Sequence, residues 1–166
     1  MHVMQDTWSD KTQELAYTEL VAKRQLIFEV IQQARHMRSL LASFESNAQS
    51  DTFLLKQRFN KNFLPENDKL DQLVVKLDIL LGFSDSDKSL NNAMRKLLLP
   101  TAMLIDDSRV TDERQLSVLF KRARNQMHEW SIAASEEMKQ YYQDQLALIY
   151  AKGKVFGSST LGGGKP

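Results

Sequence analysis

Glycine and proline are scarce in most of this chain, and that scarcity limits the folds open to it. The first 150 of its 166 residues contain one glycine, Gly82, and two prolines, Pro65 and Pro100. A β-rich fold needs such residues at short intervals, because each chain reversal favours the backbone conformations that they adopt. Long helices need very few of them. We therefore predict an all-α protein with essentially no strand.

Apolar residues recur at heptad spacing in two long segments, one near each end of the chain. The first helix is predicted to begin near Ser9 or Asp10 and to extend for roughly 60 Å. Its heptad positions carry Ala16, Leu20, Lys23, Ile27, Val30, Ala34, Met37, Leu41, Phe44 and Ala48. The last helix is predicted from Thr111 to about Tyr150, with Leu116, Phe120, Ala123, Met127, Trp130, Ala134, Tyr141 and Leu148 along its seam. Of the two tryptophans, only Trp130 lies in a long row of apolar heptad positions. We therefore predict that Trp130 is largely buried and that Trp8 is not.

Three shorter helices are predicted between the long ones, separated by turn and capping residues. The segment LPEND, 64–68, is typical of a helix end followed by a new start, and Gly82 is expected as the residue that terminates the third helix. The fold prediction is an elongated helical bundle with two long antiparallel helices and three shorter helices. Residues 1–152 are predicted to form a single helical-bundle domain, and 153–166 a flexible Gly/Ser-rich tail.

The composition excludes several classes of protein and chemistry. Lys and Arg number 22 against 21 Asp and Glu, so no strong overall charge selects a polyanionic partner. The chain has no cysteine, which removes disulfides, thiolate catalysis and cysteine-based metal sites. Its longest apolar run, 97–105, is about half the length of a membrane span and contains Pro100. We expect no membrane span in this chain and a cytoplasmic location.

The segment FKRARNQMHEW, 120–130, combines three basic residues with a histidine, a glutamate and a tryptophan. On a helix, Phe120, Met127 and Trp130 share one face. Lys121, Arg124 and His128 fall on another. Glu129 interrupts the positive charge. We interpret the segment as an amphipathic helix with a mixed, solvated outer face.

A basic contact face for phosphates is the alternative interpretation of the same segment. It requires the first helix to lie alongside the last one and to bring Arg35 or Arg38 beside Arg124. The candidate contact face consists of Arg35, Arg38, Lys121, Arg122 and Arg124.

Motifs for catalysis, cofactors and metals are missing from the sequence. It contains no nucleophile elbow, phosphate-binding glycine loop or dinucleotide fingerprint, and its histidines lack the spacing of helical metal ligands. The segment DSDKS, 85–89, resembles the start of a calcium loop, but Leu90 and Lys96 stand where such a loop needs glycine and glutamate. Helix capping explains these acids better. We predict no catalytic, cofactor or metal site.

Three functional hypotheses follow from these patterns. The leading one is a non-enzymatic interaction or adaptor module that binds a protein partner, or a second copy of itself, through helix surfaces. The first alternative is a nucleic-acid-binding helical protein that uses the basic face, with Arg24 added to it. The second is a ligand-sensing bundle with an apolar pocket lined by aromatic and methionine side chains.

Overall fold

The structure is a computed structural model that describes residues 8–46, 52–110, 112 and 115–164. Helices account for 93% of these residues, and no strand occurs among them. The predicted all-α class is confirmed. None of the described helices combines the length and the apolar composition that crossing a membrane requires.

Six α-helices and one π-helical turn follow one another along the described chain. They are α1 (Asp10–Ser46), α2 (Thr52–Arg58), the π turn (Phe59–Phe63), α3 (Leu64–Leu80), α4 (Asp85–Lys96), α5 (Leu99–Val110) and α6 (Leu116–Gly164). The α2 helix continues through the π turn into α3, and only a tight turn at 97–98 separates α4 from α5. If α2, the π turn and α3 are counted as one helix and α4 with α5 as another, the described chain has four helices. The sequence predicts five.

The helix count was wrong because Pro65 does not end a helix. Proline lacks a backbone donor, and its ring clashes with the carbonyl four residues earlier in a regular helix. That carbonyl belongs to Lys61, which lies in the π turn, where the wider backbone leaves room for the ring. An interruption does lie just before Pro100: α4 ends at Lys96, and Pro100 occupies the first turn of α5, where no donor is needed.

The two long helices lie antiparallel along their length, as predicted. Near one end, the backbone nitrogen of Trp8 donates to the carbonyl of Lys152 at 3.1 Å. Further along, the Arg24 guanidinium carbon lies 4.9 Å from the centre of the Tyr142 ring. Towards the other end, Arg38 contacts His128. Residue numbers rise along α1 as they fall along α6, which defines the antiparallel pair.

The shorter helices cover only part of this pair. An aromatic cluster of Phe44, Phe59, Phe63 and Phe120 joins α1, the π turn and α6 near one end of the bundle, with ring centres 4.9–6.1 Å apart. We call the part in which the shorter helices pack against α1 and α6 the four-helix section. At its other end the α3–α4 turn meets α6, where the Tyr141 hydroxyl donates a hydrogen bond to Asp87. Beyond that level, only α1 and α6 continue among the described residues. We call this part, residues 10–19 with 142–153, the two-helix extension.

Three predictions, on the two tryptophans, on the end of α6 and on the tail, need correction or stay open. Trp130 and Trp8 are both partly buried, so the predicted contrast between them is wrong. The α6 helix also continues past the end predicted near Tyr150, because glycine lowers helix propensity without removing a hydrogen-bond donor. The flexibility of 153–166 stays a prediction, since residues 165–166 and the side chains from 154 onward lie outside the described part.

Candidate functional site

Side chains of α1 and α6 meet at the basic surface that the sequence singles out. Nη1 of Arg38 donates to Nδ1 of His128. A guanidinium has donors only, so Nδ1 must be the unprotonated acceptor in this arrangement. In that tautomer the proton lies on the other ring nitrogen, Nε2.

A hollow of about 420 Å³ surrounds this contact, and we call it the basic groove. It is lined by Arg38, Ser39 and Ala42 from α1 and by Arg124, Asn125 and His128 from α6. Ser39 and Ala42 are small, which leaves space between the helices. The arginine, asparagine and imidazole groups supply converging donors, a set that suits carboxylate or phosphate oxygens.

The five residues of the predicted contact face have different positions. Arg38 and Arg124 line the basic groove together, which is the arrangement that the alternative interpretation requires. Arg122 points elsewhere, since its Nη2 atom lies 2.6 Å from the Asp107 carboxylate on α5. Two residues correspond to about 200° around a helix, so Arg122 and Arg124 could not share one face.

Arg35 and Lys121 are exposed and lie outside the lining of the basic groove. Each is about one helical turn from it, Arg35 on α1 and Lys121 on α6. The structure therefore contains a small groove with two arginines at its centre, flanked by two further cations. It does not present the full five-residue face.

A second, more apolar hollow of about 350 Å³ lies further along the same helix pair. We call it the apolar hollow. Val21 and Phe28 of α1 and Met138 of α6 line it, together with Arg24 and Gln25. Val21 is 41% exposed and Phe28 is 48% exposed, so apolar surface remains open to a partner here.

Both hollows lie along one stripe of α1. Val21, Arg24, Phe28, Arg35, Ser39 and Ala42 follow one another at intervals of three, four, seven, four and three residues. These intervals keep side chains on one side of a helix. Ten residues separate Phe28 from Arg38, as they do Met138 from His128, which corresponds to about 15 Å along the helix axis.

A further groove of about 700 Å³ lies between α4 and α6. We call it the α4–α6 groove. Its lining consists of Ser89, Asn92, Ala93, Lys96, Trp130, Ala133, Glu136, Glu137 and Gln140. The sequence analysis did not predict this groove. Ala93 and Ala133 could have indicated it, because small residues on neighbouring helices leave space between the helices.

Asp87, in the segment that resembles a calcium loop, has a structural role. It forms a capping box with Ser84 at the start of α4 and accepts a 2.7 Å hydrogen bond from the Tyr141 hydroxyl. Burial favours the neutral carboxyl, but the hydrogen bonds from Tyr141 and Ser84 outweigh it and hold the pKa of Asp87 below its ordinary value. Burial and the bond to Asp87 raise the pKa of Tyr141. The capping interpretation is confirmed.

Metal ligands do not converge in the described part of the chain. No group of three or more histidine, aspartate or glutamate side chains there has the arrangement of a metal site. Comparison with family models, curated proteins and solved structures finds no significant match to this chain.

Proposed function

We propose that this protein is a non-enzymatic helical interaction module that binds an acidic, amphipathic segment of a partner protein along the α1–α6 surface. One observation carries the proposal: the basic groove and the apolar hollow lie on one stripe, about 15 Å apart. Partner helices commonly bind by placing side chains from successive turns into such a surface.

The spacing of the two hollows fits a helical partner. A helix rises about 16 Å over eleven residues and returns to within about 20° of the same face, so an apolar and an acidic residue eleven positions apart would reach both hollows. The carboxylate would accept hydrogen bonds from Arg38 and Arg124, while the apolar side chain would cover Phe28. Each hollow alone is small, and joint occupation supplies both affinity and orientation.

Nucleic-acid binding is the second candidate. The observation that favours it is the position of Arg38 beside Arg124, with Arg35 and Lys121 about one turn away. Against it stand the near-neutral charge of the chain and the apolar surface along the same stripe. A short acidic segment needs only the local cations, whereas a duplex requires an extended basic surface.

A cytoplasmic location belongs to the same proposal. It is supported by the absence of cysteine, which is compatible with a reducing compartment.

The first test measures binding of a designed helical peptide by fluorescence anisotropy. The peptide carries a leucine and a glutamate eleven positions apart on one face, and a 20-base-pair duplex serves as the competing probe. We expect Arg38→Gln/Arg124→Gln to weaken peptide binding about tenfold, because it removes two charge-assisted contacts that are partly exposed. Arg58→Gln/Arg122→Gln is the matched control, with the same change in charge outside the groove, and should leave affinity nearly unchanged.

A second pair of variants tests the apolar hollow. Phe28→Ser should weaken the peptide several-fold, whereas Phe83→Ser, at a side chain that is 90% exposed, should not. Equal losses from the groove variant and its charge-matched control would contradict the proposal. A duplex that binds more tightly than the peptide, with affinity falling steeply as salt rises, would replace it with the nucleic-acid candidate.

A further inference from the structure

The α4–α6 groove has the size of a small-molecule site. Its volume of about 700 Å³ lies within the usual range of ligand pockets, roughly 300–1,000 Å³. Ala93 on α4 and Ala133 on α6 provide only methyl groups at this interface, and the partly buried Trp130 adds an aromatic surface. The groove lies between α6 and α4, not between α6 and α1, so it is separate from the surface in the proposed function.

Opposite charges occupy the two ends of this groove. Ser89 donates to the Glu137 carboxylate at 3.3 Å, which places these residues at one level of the antiparallel α4–α6 pair. Lys96 follows Ser89 by seven residues, and Trp130 precedes Glu137 by seven, so both lie at the other level. Seven residues correspond to about 10 Å along a helix.

The chemistry differs accordingly between the ends. The Lys96 ammonium and the indole N–H of Trp130 are donors, suited to a carboxylate. Glu136 and Glu137 supply acceptors at the other end, suited to an ammonium group. Glu136 also lies 3.8 Å from Lys139, which does not line the groove, whereas Glu137 accepts from the neutral Ser89 hydroxyl, so Glu137 is the better partner for an ammonium group. Within the described residues, no ion pair involves Lys96 or Glu137.

We infer that the α4–α6 groove binds a small linear zwitterion, a molecule with a carboxylate and an ammonium group joined by a short methylene chain. The carboxylate lies at Lys96 and Trp130, the ammonium lies at Glu137, and the methylenes cover Ala93 and Ala133. An anion alone would leave the glutamates unmatched, and a cation alone would face Lys96. Only a ligand with both charges complements the two ends.

The test titrates 6-aminohexanoate into the full chain carrying Trp8→Phe, so that fluorescence reports on Trp130. We expect a saturable change with a Kd of roughly 1 mM, as for a small ligand at a partly exposed site. Hexanoate and hexylamine, which each lack one charge, should bind about fivefold more weakly. Isothermal titration calorimetry on the unmodified chain provides an independent measure of affinity.

Two charge variants identify the ends of the ligand. Lys96→Met should remove the preference for 6-aminohexanoate over hexylamine, and Glu137→Gln should remove the preference over hexanoate. Lys88→Met and Glu129→Gln make the same changes on the same helices outside the groove, and both preferences should survive in them. Ala133→Leu fills the groove without altering any charge and should abolish binding while helix content, measured by circular dichroism, is kept.

Three results would overturn the inference. The first is the absence of saturation well above the millimolar range in the folded chain. The second is equal affinity for 6-aminohexanoate and its singly charged analogues. The third is a loss of preference in the control variants that matches the loss in the groove variants. None of these results bears on the peptide site between α1 and α6.

Discussion

At the scale of single residues, Asp87 fixes the α3–α4 turn to α6. It caps α4 together with Ser84 and accepts a hydrogen bond from Tyr141, so one carboxylate joins two parts of the bundle. Gly82 lies beside it, and a Cβ atom added there would come within 2.9 Å of the Asp87 carboxylate. Its backbone φ is not positive. A larger residue at 82 would therefore displace the Asp87 carboxylate, whereas the left-handed conformation expected of a helix-ending residue is not adopted here.

The contact between Tyr141 and Asp87 predicts a pH-dependent loss of stability. Tyr141→Phe should lower the free energy of unfolding at pH 7 by about 2 kcal/mol, because the partly buried Asp87 carboxylate loses a donor. The pKa of Asp87 is lowered in the folded state, so its stabilising contribution is present above the ordinary value of 3.8 and is lost as pH falls through the folded pKa. The difference in free energy of unfolding between wild type and variant, measured by urea unfolding, should be smaller near pH 3 than at pH 7.

Tyr150→Phe is the control for this experiment, since the Tyr150 side chain is exposed. It should leave stability nearly unchanged at both pH values. A Tyr141→Phe effect that is small at pH 7, or that grows on acidification, would contradict the role assigned to Asp87.

At the scale of elements, the long helices could be predicted and the breaks between short ones could not. The predicted start of α1 is confirmed, with the Ser9 hydroxyl accepting from the backbone nitrogen of Thr12. Heptad spacing is sufficient to predict the two long helices, because the apolar pattern is repeated over many residues in each of them. Pro65 misled the prediction because the π turn that accommodates it depends on packing of Phe59 and Phe63, which proline chemistry alone does not reveal.

The link between Pro65 and the π turn can be tested with a double-mutant cycle. Deleting the exposed Asn62 removes one residue from the π turn and should restore a regular helix with its flanking register. With Pro65 present, the deletion should cost about 3 kcal/mol, because the proline ring then meets a regular helical backbone. In a Pro65→Ala background the deletion should cost much less, as measured by urea unfolding.

Deletion of Gln72 is the comparison for the cycle. It removes an exposed residue from regular α3 and rotates part of the helix by about 100°, so it should be severely destabilising in both backgrounds. If the Asn62 deletion and Pro65→Ala simply add, the proline and the π turn are independent and our explanation is wrong.

At the scale of the whole molecule, the candidate site depends on how α1 and α6 are aligned. Arg38 and His128 lie 90 residues apart in the chain, and only the packed core sets which turn of α1 faces which turn of α6. The sequence could therefore name the cations and state the condition for a basic groove. It could not show that Arg38 meets Arg124 while Arg122 pairs with Asp107.

The partial covering of the long pair predicts a gradient of local stability. Amides of α1 in residues 10–19 should exchange with deuterium at least about tenfold faster than those in 27–37, because only α6 covers the extension. The same contrast should hold in α6 between 142–153 and 120–134. Hydrogen exchange with peptide-level mass spectrometry measures both, and each helix supplies its own reference. Uniform protection along α1 would show that the extension is stabilised by contacts beyond those described.

The side-by-side position of Trp8 and Lys152 at the end of the extension also determines how the molecule responds to mechanical load. Tension that pulls these two residues apart acts across the helix pair, so it opens one turn at a time in an unzipping geometry. Tension along the axis of α1 would instead shear many contacts at once and meet greater resistance. The extension would thus yield first and leave the four-helix section, with its grooves, intact.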